Sequence, residues 1–261
     1  MRAARIATSS TLPTVGTERR AAAFVRAFMA LPAIELTDDR VEALKWLALV
    51  LMTLDHVDKY LLHERARALF ALGRLAFPLF GFVLAFNLAR PGALKRGVYF
   101  RVLGRLALVG ALSEIPFIGL GGLAWGWYPL DILLTLMVAT AIIWLIDVDV
   151  DVGGGWPLAL ALLLFLMGGA VVEFWWPGIA LVVAAWSYCR NPRAAALTIW
   201  LAASLALYLI NRNLWALAAF PLIFYAPHAR WRVPRRRWAF YSYYPAHLAV
   251  LWALCLGLPR T

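Results

Sequence analysis

The sequence predicts an all-α polytopic membrane helical bundle of about nine transmembrane helices with a cytoplasmic N-terminus. Three observations carry that prediction. Of the 261 residues, 64% are hydrophobic and only 15% charged, against about 45–50% apolar and about 25% charged in a soluble domain. The apolar residues gather into runs of the roughly 20 residues that a helix needs to cross a hydrocarbon core of about 30 Å. The basic residues collect in alternate gaps between those runs, as they do in cytoplasmic loops.

The runs lie at 43 to 62, 68 to 90, 102 to 120, 129 to 147, 156 to 173, 175 to 189, 194 to 210, 213 to 227 and 239 to 258. The sixth and eighth are short. With the N-terminus inside, the N-terminal segment and alternate loops take all of the 25 lysines and arginines except Lys59, Arg65, Arg67, Arg74, Arg212 and Arg260. An odd number of spans then puts the C-terminus outside. Residues 1 to 40 form a basic cytoplasmic extension, in which "RRAAAFVRAFMALPAIEL" reads as an amphipathic helix on the inner surface. Arg26 interrupts its apolar stretch, which a cleaved signal peptide does not tolerate. Residues 41 to 261 form a single transmembrane domain without an internal repeat of transporter type.

Several function classes are excluded by pattern. Cys189 and Cys255 fall near opposite membrane faces, so neither a disulfide framework nor a thiolate cluster is expected. The four histidines make no HExxH or other compact ligand spacing, so no metal site is expected. "DVDVDVGGG" opens like a calcium loop, but Val152 replaces the sixth-position Gly and Leu158 the twelfth-position Glu. The net charge of +11 does not imply nucleic acid. Its densest run, "RWRVPRRRW", immediately precedes a span on the inner side, where anionic lipid or coenzyme phosphates are the expected partners.

The chemistry concentrates in the first span. "VLMTLDHVDKYLL" places Asp55, His56, Asp58 and Lys59 in a greasy helix, and ionisable groups at such depth line a cavity or the bundle interior rather than lipid. Lys45 and His56 are eleven residues apart, which returns to within about 20° of the same face some 16 Å along the axis. One face therefore carries a cation at the inner surface and an imidazole near mid-depth. That suits an acyl-coenzyme A whose phosphates stay at the entrance while the thioester reaches inward. His56 is then the base, and Asp55 either orients it or pairs with Lys59 one turn on.

Three ordered segments, "MTLDHVDKYLL", "GRLAFPLFGFVLAFNLA" and "WAFYSYYPAHLAVLWAL", resemble signature segments of the TraX family of conjugation-associated membrane proteins, described as pilin N-acetyltransferases. The likeness runs from about residue 43 to 255. The Lys45-x10-His56 spacing also resembles the Arg/Lys-x10-His pattern of the wider membrane acyltransferase-3 group. The resemblance implies acetyl transfer from acetyl-CoA to a pilin subunit in a bacterial inner membrane. Two departures stand out. Asp131 in "LDILLTL" occupies a place where the family pattern has Asn, and "EFWWPG" stands where it has "DYG".

The resemblance and the residues together nominate further positions. His247 enters the last span with Tyr244 three residues before it, so the two share a face and can meet His56 across the bundle. Arg74, ahead of the helix-kinking Pro78, can bind phosphate or carboxylate or snorkel to the outer interface. Glu114 and Asp131, in the outer halves of the third and fourth spans, are candidates to bind an acceptor amine or relay its proton. Asn87 reads as structural, and Glu173 beside Trp175 and Trp176 reads as interfacial. The expected site is thus catalytic His56, Asp55 and His247; donor-binding Lys45, Arg101 and Arg105; and a polar cavity with Arg74, Glu114, Asp131 and Tyr244. Head-to-tail cyclisation of a pilin, O-acetylation of an envelope glycan and proton-coupled transport remain alternatives on the same scaffold.

Overall fold

The computed structural model describes residues 31 to 122, 126 to 229, 231, 233 and 236 to 257. The surface helix expected within residues 1 to 40 lies outside the described residues up to position 30, as do Arg230, Arg232, Pro234 and Arg235 of "RWRVPRRRW". Among the described residues the chain is helical throughout: α1 (Asp38–Tyr60), α2 (Arg67–Gly73), α3 (Ala76–Leu88), α4 (Val98–Gly119), α5 (Ile132–Val152), α6 (Trp156–Gly169), α7 (Trp175–Arg190), α8 (Ala194–Ala206), α9 (Tyr208–Asn211), α10 (Ala219–Tyr225) and α11 (Arg237–Gly257). Four stretches are long and apolar enough to cross a membrane: Arg67–Leu88, Val98–Gly119, Ile132–Val152 and Ala194–Asn211.

Two expected spans are broken, each for a local reason. The second divides at Arg74 and Leu75, and α3 restarts at Ala76 with Pro78 in its first turn, where a missing N–H costs no helical bond. The eighth, expected over 213 to 227, is a 3-10 turn (Trp215–Ala218), the seven-residue α10 and a second 3-10 turn (Ala226–His228). Asn213 initiates the break by accepting the Trp215 N–H at 3.1 Å while donating to the Asn211 carbonyl at 2.7 Å. Pro221 and Pro227 then limit what helix remains.

Contacts between the helix ends divide the bundle into two ends of different charge. At the first, Arg90 beyond α3 pairs with Asp38 at the start of α1 at 2.6 Å. Asp147 near the end of α5 accepts from Tyr99 of α4 at 3.0 Å and pairs with Arg190 of α7. Arg40 donates to the Ala229 carbonyl at 3.1 Å. Lys45, Lys95, Arg96, Arg101, Arg105 and Arg193 belong to this basic end by their places on the same helices. The opposite, acidic end carries Asp55, Glu114, Asp131 and Glu173.

Between them α3 and α7 form the centre, with α1, α5 and α8 packed around them. Trp200 fills it, 4.7 Å from the Phe220 ring and 5.8 Å from Phe82. The edges are set by α4 and α11, which pack on each other; α4 also meets α5 and α11 meets α1. That arrangement carries α11 across the polar half of α1.

Candidate functional site: a histidine pair between a basic cavity and a carboxylate cluster

His56 of α1 and His247 of α11 meet directly, with Nδ1 of His56 2.7 Å from Nε2 of His247. The rings are within 2° of parallel and their centroids 5.0 Å apart. A nitrogen contact that short at that centroid distance means the imidazoles lie edge to edge, not face to face. Nδ1 of His247 lies 3.1 Å from the Tyr243 carbonyl, which can only accept. With both rings neutral the tautomers follow. His247 Nδ1–H donates to the carbonyl, its Nε2 accepts from His56 Nδ1–H, and Nε2 of His56 is left with its lone pair. It has no hydrogen-bond partner among the described residues. The orientation expected of Asp55 is thus supplied by His247.

Asp55 instead pairs with Arg74, which also donates to Asn211 Oδ1 at 3.3 Å and covers the Phe70 ring at 4.5 Å. The reason is positional: consecutive helix residues diverge by about 100°, so Asp55 faces α2 where His56 faces α11. Gly73 permits the close crossing, because a Cβ there would stand 2.4 Å from the Asp55 side chain. Asp58, almost fully buried, accepts from the Ala66 N–H at 2.9 Å and so holds the loop between α1 and α2. Its role is structural.

A cavity of about 580 Å³ opens beside the pair among α1, α3, α4, α5 and α11. Lys45, Arg90, Arg96, Arg101 and Arg105 line its basic end, and the remainder is mainly aliphatic with Phe80, Tyr243 and Tyr244. The three expected donor-binding cations therefore share one wall system, joined by Arg90 and Arg96, which the spacing argument did not select. They are not equally available. Lys45 is 2.5 Å from Glu42 and lies over the Phe240 ring, Arg96 folds onto the Gly92 and Pro91 carbonyls, and Arg101 donates to the Arg96 carbonyl at 2.7 Å. Among the described residues Arg105 makes only a ring contact, with Tyr241 at 5.6 Å. Asn87 lines the cavity while donating to the Val83 carbonyl at 2.8 Å, in keeping with a structural part.

Tyr243 and Tyr244 belong to both places: they line the cavity and pack against the histidines. The Tyr243 ring lies within 9° of parallel to His247 at 5.1 Å, and its hydroxyl meets Thr53 at 2.8 Å. Tyr244 is 5.3 Å from His247 and 6.5 Å from His56.

The expected acceptor carboxylates lie at the acidic end. Asp131 caps α5, accepting from the Leu134 N–H at 3.1 Å, and Glu114 accepts from the Asp131 N–H at 2.7 Å. An Asp before an apolar run is a cap signal readable in the sequence. Glu173 is the residue sequence reasoning missed. Its backbone N–H bonds the Leu130 carbonyl at 2.8 Å and its carbonyl accepts from Thr135 at 2.6 Å, which ties the loop before α7 to the start of α5. The Glu173 carboxylate consequently counts Lys59, Arg74, Asp55 and Glu114 as charged neighbours instead of facing an interface. Its signal was the departure "EFWWPG" from the family pattern.

The fold and site define a class, a helical membrane protein with a bonded histidine pair between a cation-lined cavity and a cluster of carboxylates. The chain belongs to the TraX family, whose model, described as TraX protein, matches residues 40–255. No curated protein and no solved structure matches the chain.

Proposed function

We propose that the chain is a multi-pass inner-membrane acyltransferase that acetylates conjugative pilin subunits with acetyl-CoA as donor. The basic end faces the cytoplasm, and the N-terminus lies on that side. The observation that carries the reading is the His56–His247–Tyr243 chain beside a cation-lined cavity. A neutral imidazole with a fixed tautomer and a free Nε2 is a general base held ready. The TraX resemblance supports pilin as acceptor and acetyl-CoA as donor.

The donor's phosphates meet Arg105 first, since its guanidinium is the least committed of the five cations. The pantetheine arm follows the aliphatic wall, and the thioester reaches His56 when the Tyr244 ring swings aside. His247 shares the positive charge that develops on His56, because its Nε2 accepts the Nδ1 proton throughout. Arg74 and Asp55 position α2 against α1 and do not touch the donor.

The test is the intact mass of the pilin from cells carrying this protein or its His56→Ala variant. An acetyl-sized gain that disappears in the variant supports acetyl transfer. Loss of one water in its place means that the site closes a peptide bond, and coenzyme A drops out of the mechanism. An unchanged mass in both removes pilin as the acceptor.

A further inference from the structure

Glu114 and Asp131 each leave one carboxylate oxygen, Oε2 and Oδ2, buried without a hydrogen-bond partner. Asp131 is fully buried. Its charged neighbours are Glu114 and Glu173, both carboxylates. No cation is among them, and the two cations beside Glu173 are drawn elsewhere: Arg74 onto Asp55, and Lys59 beside Glu173 and Asp55. Buried carboxylates are ordinarily paired or hydrogen-bonded at every oxygen, so a coupled pair with two orphan oxygens and no facing cation is incomplete.

A second observation points into the same space. Tyr244 is 6% exposed, its hydroxyl has no hydrogen-bond partner among the described residues, and its polar neighbours are Asp131, Glu173, Tyr60 and Glu114. The same side chain lines the basic cavity and packs on both histidines. It therefore stands between the basic cavity and the carboxylates that are its charged neighbours.

We propose that Glu114, Asp131 and the Tyr244 hydroxyl form an acceptor subsite for the terminal ammonium of a polypeptide, reached from the acidic end while the acyl donor occupies the cavity from the basic end. The inference rests on the acyl-transfer reading above and assigns the half of the site that reading leaves open. It also balances the protons. An α-ammonium with a pKa near 8 must lose one proton before its nitrogen can attack and a second as the amide forms. The first passes to the Glu114–Asp131 pair. The neutral nitrogen then attacks the thioester carbonyl carbon, a C–N bond forms and the C–S bond breaks. The second proton moves to His56 Nε2 and from there to the departing thiolate. The carboxylate proton leaves to water at the acidic end. A subsite of this kind discriminates ammonium from hydroxyl acceptors.

Full-length protein in phospholipid nanodiscs, without donor, is titrated with a short apolar peptide bearing a free α-amine and with the same peptide bearing an α-hydroxyl. The wild type is expected to prefer the amine roughly tenfold or more, the scale of a charge-assisted hydrogen bond. The Glu114→Gln, Asp131→Asn double variant keeps the oxygens that accept from Asp131 N and Leu134 N, so α5 stays capped. It should bind both peptides as weakly as the wild type binds the hydroxyl form. Equal binding of the two peptides by the wild type, or a preference that survives in the double variant, overturns the subsite. Acetyl-CoA binding is measured on the same samples and should be unchanged in the double variant. If acetyl-CoA fails to bind the wild type while the amine preference holds, the donor reading falls and the ammonium subsite stands.

Discussion

The two halves of α1 hold their charges in different ways. Near the basic end Lys45 leans on Glu42 and Phe240 but remains on a cavity wall, 21% exposed, among four arginines. Near the acidic end Asp55 is tied to Arg74, Arg74 to Asn211, and Asp58 to the backbone of the next loop. The first set surrounds a space and the second set closes one. A charge in a membrane helix is therefore not one kind of signal: in this helix some hold helices together, and others are left where a ligand can use them.

The largest expected effect comes from breaking the closed half. Arg74→Ala leaves the Asp55 carboxylate facing Gly73 without its bonded cation, at 16% exposure. Losing one partner of a buried pair costs about 3–5 kcal/mol, and partial solvent access lowers this to roughly 2–3 kcal/mol. Thermal unfolding of the purified protein should show that loss, and Asp55→Asn combined with Arg74→Met should recover most of it. A single variant as stable as the wild type would mean that the pair is not structural.

Gly73→Ala attacks the same contact sterically. A Cβ 2.4 Å from the Asp55 side chain must push α2 from α1, since the nearest atoms include Asp55 Cβ, which has little freedom to move. Overpacking of this kind costs about 1–3 kcal/mol. Thermal unfolding is again the measurement. Activity per folded molecule should fall less than in His56→Ala, because the histidine pair faces the other way. Equal loss of activity would tie the Asp55–Arg74 contact directly to the chemistry.

How much of this was legible follows from what each residue needs. His56 and Lys45 could be read because helical periodicity alone places them on one face, and His247 because a polar residue in a span must face something polar. The partner of Asp55 could not be read, because Arg74 lies 19 residues on, beyond a loop, and no local period links them. Glu173 was misread as interfacial because its orientation depends on backbone bonds to Leu130 and Thr135, contacts made by a loop that has no periodicity to read. The expected eighth span failed for a related reason: hydropathy marks 213 to 227 as apolar but does not weigh Asn213, Pro221 and Pro227. The capping role of Asp131 was visible as an Asp ahead of an apolar run, but that its second oxygen is buried without a hydrogen-bond partner depends on tertiary packing that no local pattern records.

The smallest effect should come from the open half, and it tests whether openness is used. Lys45→Glu removes a cation from the cavity wall and sets a second carboxylate beside Glu42, so it acts on a ligand's phosphates at the entrance rather than on the fold. Five cations share that wall, so the loss of one should weaken acetyl-CoA binding roughly tenfold, about 1.4 kcal/mol, with the deficit shrinking as salt rises. Equilibrium binding at two ionic strengths measures it, with the unfolding temperature as control. Lys45→Met separates the cation from the added repulsion: if it binds donor like the wild type, the Lys45–Glu42 pair belongs with Asp55 and Arg74 as scaffold, and the contrast between the two halves of α1 collapses. A binding loss with unchanged stability gives the basic half to the ligand and the acidic half to the bundle.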